Sequence, residues 1–250
     1  MAQVPQVSVV SPVFQSAGNI PVLVSRILYA LEPQRITCEI VLVDDGSTDD
    51  SWEVIRSLSL VYPQVKGIRL DRNYGQHPAI RVGLSYCCGE QVVIMDCDLQ
   101  DPPECISALL EKLHDPVEAV FARRIKQYES RSQLFLSRAF YRVLQALTGI
   151  PLDGSVANFG AYSRSMIQAV LHAPDDRYFF FPLAIRKCAR NCVQVKVPHE
   201  PRHSGHSSYT VLSAGKLAFR ILSSQTFLHY FYTHRRYAYH IQEITEQTVA

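Results

Sequence analysis

Residues 91–100 read QVVIMDCDLQ, an apolar run from Val92 to Met95 that ends in two carboxylates one residue apart, Asp96 and Asp98, with Gln100 next in alternation. A run without polar alternation is how a strand buried on both faces of a parallel sheet reads. Oxygen-bearing side chains at its carboxyl end would then stand at the edge where open α/β sheets bind their ligands. Carboxylate and amide oxygens are hard donors, suited to a metal ion beside a phosphate. Alone, the same residues also fit a solvated acidic turn, so the neighbouring strand ends carry the decision.

Two of them are polar in a related way. VLVDDGSTDDS sets Asp44 and Asp45 before Gly46, where they could accept hydrogen bonds from a base or ribose. Ser47, Thr48 and Asp49 are candidate N-caps for a helix through Trp52, Ile55 and Leu58, so a plain capped helix start is the competing reading. LDRNYGQHPAIRVGL puts Arg72 at the end of a further strand, ahead of a turn at Asn73 and Gly75. Arg72 could meet a phosphate or a base, or lie on the surface.

Short apolar runs alternating with segments of helical period must position these loops, the pattern of crossover units on a mostly parallel sheet. Strands are expected at 7–13, 39–43, 67–70, 91–95, 117–122 and 159–162. Helices are expected at 20–31, through Trp52 to Leu58, at 79–87, from Pro102-Pro103, at 132–147 and from Arg164 to about His172. Segments 179–189 and 193–197 and a long final helix are less regular. The fold class is α/β, a Rossmann-like central sheet flanked by helices.

At 250 residues and 47% hydrophobic, the chain suits one α/β domain or a large domain with a small appendage. A formal charge of +2 argues against a partner held by bulk charge, and no nucleic-acid role is expected. Seven cysteines, an odd number without a C-x-x-C pair, and an N-terminus without a leader pattern lead us to expect reduced thiols in a cytoplasmic protein. No stretch approaches the roughly 20 apolar residues that cross a bilayer.

VSVVSPVFQSAGNI, VLVDDGSTDDSW, RLDRNYGQHPAIRVGL and VIMDCDLQDPPE together resemble the consecutive motifs of family 2 glycosyltransferases with the GT-A fold. DRNYGQHPAIRVGL and DLQDPPE are closest to the polyprenyl-phosphate glycosyltransferase branch, which includes dolichyl-phosphate mannose synthases and GtrB-like enzymes. The likeness spans roughly residues 6–222 and is strongest over the first 125. It implies a UDP-, GDP- or dTDP-sugar donor, with Pro12, Phe14, Asp44, Asp45 and Arg72 on the nucleotide-sugar side. It also implies Mg²⁺ or Mn²⁺ held on the donor diphosphate by Asp96, Asp98 and Gln100, with Asp98 the foremost catalytic residue.

The same resemblance divides the chain into a catalytic domain, 1–210, and a helical extension, 211–250. Within the domain, 1–125 is the nucleotide-sugar half, and 126–210 holds the acceptor half and a lid. FARRIKQYESR supplies Arg123 and Arg131 at positions where the family sets arginines beside phosphates, with Arg124 a further candidate. VANFGAYSRSM matches a segment in which many members carry an aspartate where this chain has Asn158. Asparagine is no base. Either an anionic lipid-phosphate acceptor needs none and Asn158 orients it, or another carboxylate such as Asp153 serves a sugar hydroxyl.

HEPRHSGHSSYT resembles the family's lid, retaining Arg202, Gly205, Ser207 and Tyr209, with Ser208 in place of the usual lysine. His199, His203 and His206 are spaced closely enough to raise a zinc site, but lack an evident fourth ligand. The segment 216–232 reads as an aromatic, basic amphipathic helix that could lie in a membrane interface, pack on the domain or meet a second subunit of a homo-oligomer. GtrB-type enzymes continue here into transmembrane helices. The expectation is a metal-dependent, inverting sugar transferase, cytoplasmic and peripheral at the inner face of the membrane, acting on a polyprenyl phosphate or glycolipid intermediate. Two alternatives are a degenerate nucleotide-sugar-binding module and a nucleotidyltransferase, although SPVFQSAGNI lacks the basic residues the latter needs.

Overall fold

The computed structural model describes residues 4–125, 156–173, 179–200 and 239–245, together with positions 142, 145, 146 and 149. Its centre is an eight-stranded sheet of β1 (Val7–Val13), β2 (Cys38–Asp44), β3 (Val65–Leu70), β4 (Gln91–Ile94), β5 (Ala119–Arg124), β6 (Val156–Ser163), β7 (Cys192–Val197) and β8 (Ile241–Ile244). The strand order is β7-β5-β6-β4-β1-β2-β3-β8. Parallel pairing joins β1 to β2 and β4, β2 to β3, and β5 to β7. Only β6, between β4 and β5, and β8, beside β3, run the other way. The carboxyl ends of β1, β2, β3, β4, β5 and β7 therefore share one edge with the amino ends of β6 and β8.

The central strands read as continuous apolar runs because each side of the sheet has its own core. Val9, Val13, Ile40, Leu42 and Val93 face one, and Val10, Val41, Val43, Val92 and Ile94 the other. On the first face lie α1 (Ile20–Leu31), α2 (Ser51–Val61) and the short α4 (Ile106–Leu110). On the second lie α3 (Gln76–Tyr86), α5 (Arg164–His172) and α6 (Phe181–Cys188). Helix α1 shows why such segments are helical: Ile20, Leu23, Val24, Ile27 and Leu31 recur at helical spacing and are all buried, while Pro21 sits in the first turn, where its missing N–H costs nothing. Each such side chain contributes about 1.5–3 kcal/mol on burial, against the entropy of ordering the chain.

The structure departs from the sequence expectations in three places. Helix α2 begins at Ser51 with Asp50 at the N-cap position, so Ser47, Thr48 and Asp49 are not the N-cap, although Asp49 Oδ1 accepts from the Ser51 amide at 3.2 Å. Pro103 opens a single 3₁₀ turn, Pro103–Cys105, before α4 starts. Within the stretch expected as a helical extension, 211–250, residues 241–244 form β8 on the edge of the sheet. Its four residues, Ile-Gln-Glu-Ile, carry no period-two alternation that would mark a strand. Most of the expected helix at 132–147, the lid and the segment 216–232 lie outside the described residues. Among the described residues, no helix is long and apolar enough to cross a membrane.

Leu23→Ala, which opens a cavity under α1, should destabilise the protein by about 2–5 kcal/mol in denaturant titration. Leu60→Ala, at a position 80% exposed at the end of α2, should change stability by less than about 0.5 kcal/mol. Equal effects at the two positions would contradict this packing.

Candidate active site

The tip of β4 carries Asp96, half-exposed Asp98 and Gln100, the residues singled out from sequence. A left-handed backbone at Leu99, with φ of +60° and its side chain buried, turns the chain sharply between Asp98 and Gln100. Within that turn the Gln100 amide donates to Asp98 Oδ1 at 3.2 Å. Asp96 Oδ1 accepts from Gln76 Nε2, in the first turn of α3. Burial pushes the Asp96 carboxyl well above the usual carboxylate range; repulsion from Asp98 and Asp101 adds to this, and Arg124 and the Gln76 bond oppose it.

Behind this tip stands an ion pair. Asp101, 1% exposed, meets Arg124 in two contacts, Nε to Oδ1 at 3.1 Å and Nη2 to Oδ2 at 2.9 Å. Burial opposes ionisation of Asp101, but the nearby His199 ring and the two hydrogen bonds from Arg124 outweigh it and hold its carboxyl below the ordinary value. Burial works likewise against the Arg124 cation, and is outweighed by Asp101, Asp96 and Asp98. His199, just past β7, sets Nδ1 3.8 Å from Asp101 Oδ1 and Nε2 3.4 Å from Gln100 Nε2. The Glu200 amide donates to the Gln100 carbonyl at 2.8 Å, and Arg26 on α1 reaches both Glu104 and Glu200. Among the described residues, one arginine thus stands among three carboxylates, which leaves them a local excess of negative charge.

The loops after β1, β2 and β3 are tied to one another. Gln15, at φ of +49°, donates its amide to Ser47 Oγ at 2.9 Å, Ser16 donates to Ser51 Oγ at 2.9 Å, and Ala17 to Asp49 Oδ2 at 3.2 Å. The hydroxyls and carboxylate expected to cap α2 thus bind the loop that follows Pro12 and Phe14. Asp44 is fully buried, accepts from the Ser47 amide at 3.1 Å and has Arg69 Nε 3.6 Å away. Asp45 accepts from the Tyr74 and Gly75 amides, each at 2.8 Å. Burial pushes its carboxyl up to about 6, with the two amide bonds pulling the other way. Gly46 makes the approach feasible: its φ is +66°, and a Cβ there would lie 2.4 Å from the Arg72 carbonyl carbon.

Several expected residues are brought to this edge, and others are not. Pro12, Phe14, Asp44, Asp45, Arg72, Asp96, Asp98 and Gln100 all lie at or just beyond the carboxyl ends of strands. Asp45 is committed to the 71–75 loop, and exposed Arg72 lies over the Tyr74 ring at 5.0 Å. Asn158 sits near the start of β6; Ile94 pairs with Gly160, and two residues further on each chain come Asp96 and Asn158. Arg123 is exposed, whereas Arg124 turns inward: β5 keeps an unbroken register with β7 through Arg124, so its alternation sets Arg124 on the side of Val120 and Ala122, where it meets Asp101. Arg131, Asp153, Arg202, Ser207, Ser208, His203 and His206 lie outside the described residues.

Gln76 and Asp101 escaped the sequence reading although both stand in the motifs quoted above. Their neighbours drew attention by type, and only the fold shows which side chains meet. The donor set fits a hard divalent cation: an acidic excess, partly desolvated, with amide oxygens near. Among the described residues no three His, Cys, Asp or Glu side chains form a cage. That is the pattern of a Mg²⁺-type site, which takes one or two carboxylates and completes its shell with substrate phosphate and water.

A mostly parallel sheet whose loops gather at one edge around a partly neutralised acidic crevice defines an α/β protein suited to a phosphorylated ligand with a cation. The chain belongs to glycosyl transferase family 2, whose model matches residues 8–171. It is 33% identical over 221 residues to the undecaprenyl-phosphate 4-deoxy-4-formamido-L-arabinose transferase of Shewanella sediminis, a match covering 88% of this chain and 66% of that protein. The corresponding Aeromonas hydrophila transferase is also 33% identical, with 88% and 68% covered. The chain thus spans about two thirds of the length of these relatives.

Among solved structures, the mannosyltransferase of Pyrobaculum calidifontis in complex with GDP-Man and Mn²⁺ superposes with a TM-score of 0.59 at 21% identity, covering 94% of this chain and 66% of that one. Glucosyl-3-phosphoglycerate synthase from Mycobacterium tuberculosis, with Mn²⁺, UDP-glucose and phosphoglyceric acid, gives 0.59 at 15% identity, covering 88% and 78%. At such identities the likeness establishes the GT-A fold.

Arg124→Ala strips a buried carboxylate of its partner and should lower the folding free energy by about 3–5 kcal/mol. Adding Asp101→Ala should restore most of that loss. A double variant as unstable as the sum of the two singles would show that the pair is not coupled.

Proposed function

We propose that this chain is a metal-dependent, inverting glycosyltransferase that moves a sugar from a UDP-, GDP- or dTDP-activated donor onto a polyprenyl phosphate or a glycolipid intermediate. The observation that carries the reading is the group of three carboxylates at the tip of β4, compensated by Arg124 alone among the described cations that face it. Asp96, Asp98 and Gln100 would hold Mg²⁺ or Mn²⁺, which when bound neutralises charge developing on the departing nucleoside diphosphate. Asp44, Asp45 and Arg72 shape the nucleoside side of the crevice. Pro12 and Phe14 open the loop between them and the β4 tip.

Transfer needs one displacement. An acceptor oxygen forms a bond to the anomeric carbon, the bond from that carbon to the diphosphate breaks, and the nucleoside diphosphate leaves with the electron pair. No enzyme nucleophile intervenes, so the configuration inverts. A phosphate oxygen is anionic already and has no proton to surrender, which suits Asn158 as an orienting amide where a base would otherwise stand. The two arabinose-derivative transferases carry undecaprenyl phosphate in their names, and this supports a lipid phosphate as acceptor. Such an acceptor would bring the protein to a membrane surface, with Arg131, Arg202 and Ser207 as further phosphate contacts and 211–250 as the attachment.

A screen of nucleotide sugars with Mn²⁺, with and without a short polyprenyl phosphate, should release nucleoside diphosphate in an acceptor-dependent way. Chelation should abolish the release and added Mn²⁺ or Mg²⁺ restore it, and Asp98→Ala should reduce turnover by about 10²-fold or more. Donor binding without turnover on any acceptor would instead identify a catalytically degenerate binding module. Near-wild-type turnover in Asp98→Ala, or a product with the donor's anomeric configuration, would contradict the mechanism.

A further inference from the structure

The C-terminal segment 239–245 reaches the nucleoside side of the crevice at the 71–75 loop, above all through Tyr74. The Tyr74 hydroxyl donates to Asp71 Oδ1 at 2.8 Å and accepts from the His240 amide at 3.4 Å. Its ring carries the Arg72 guanidinium at 5.0 Å and meets the Tyr239 ring edge-on, with centroids 5.5 Å apart. Its amide, with that of Gly75, is held by Asp45. The Asp71 amide in turn donates to the His240 carbonyl at 3.1 Å.

The segment itself is firmly seated. Glu243 accepts from Trp52 Nε1 at 3.1 Å and faces Arg56 Nε at 3.5 Å, while the Gly67 amide donates to Thr245 Oγ1 at 2.8 Å and the Thr245 amide to the Gly67 carbonyl at 3.0 Å. A strand fixed to β3 and α2 therefore begins against the 71–75 loop. Asp45 holds the Tyr74 backbone of that loop and residues 239–240 hold the Tyr74 side chain, so Tyr74 is the shared node.

We infer that β8 and the residues before it, Tyr239 and His240, are a positioning element for the donor nucleoside: they hold the Tyr74 ring, and through it Arg72, in the binding-competent arrangement. This rests on the reading of Arg72 as a nucleoside-side residue. Positioning by a remote segment is reciprocal. If docking of 239–245 raises nucleoside diphosphate affinity by some factor, ligand binding must favour docking by the same factor.

The test uses the whole chain. Calorimetry with UDP, GDP and dTDP in Mn²⁺ selects the tightest of the three as probe, and Tyr239→Ala should weaken it roughly three- to tenfold. Tyr239→Phe keeps the ring contact and should bind within about twofold of wild type. In the wild-type protein, hydrogen exchange of the amides in 239–245 should slow by about the factor lost in Tyr239→Ala when the probe is added. Unchanged affinity in Tyr239→Ala, or equal loss in the alanine and phenylalanine variants, would overturn the inference. So would exchange in 239–245 that ignores the ligand, a result that decides the matter even where Tyr239→Ala fails to fold. Wild-type protein that binds none of the three diphosphates would remove the functional reading first, and this inference with it.

Discussion

Like charges crowded into a half-dry crevice need a cation, and the active edge of this protein is arranged around that need. Asp96, Asp98 and Asp101 come within mutual influence at the tip of one central strand, and Arg124 answers only part of their charge. Asp101 takes that arginine in a bidentate grip. Asp96 is left desolvated and repelled by its neighbours. A divalent ion beside a diphosphate would add positive charge to the described residues of this tip and bring its own anionic partner.

The remaining loops serve that edge by bracing each other. The turn after β1 hangs its amides on the turn after β2, and that turn uses Asp45 to hold the turn after β3. Gly46 allows the last two to approach at backbone contact distance. The lattice consumes side chains that look, from their types, free to meet a ligand. Asp45 is the clearest case, since its carboxylate is largely spent on Tyr74 and Gly75. Recognition of a nucleoside is then left to the groups the lattice presents, Arg72 among them, and any looseness in one turn is passed to the next.

Much of the sheet was legible because strands buried on both faces leave an unmistakable apolar run, and because α1, α3 and α5 carry a helical stripe matched to one of two cores. The β4 tip was legible for the same reason: a run that stops at alternating acids can stand only at a strand end. The misreadings have physical causes too. The small polar residues 47–49 favour helix caps on intrinsic grounds, but Ser47 accepts from the neighbouring turn instead, and Asp49 divides its two oxygens between that turn and the first amide of α2. Arg123 and Arg124 are indistinguishable by type, and the strand's alternation, which sets Arg124 on the side of Val120 and Ala122, chose between them. Strand β8 is held by pairing with a distant strand and by Glu243 on Trp52, none of which leaves a local pattern.

The claim on which the rest hangs is that the β4 tip seats a divalent ion against a diphosphate. Anomalous scattering from a crystal grown with Mn²⁺ and a nucleoside diphosphate tests it directly. The account predicts one manganese peak within about 2.0–2.6 Å of an Asp98 carboxylate oxygen and of a phosphate oxygen of the nucleotide. A bound nucleotide with no ion at Asp96 or Asp98, or manganese seated on another group of residues, would contradict it.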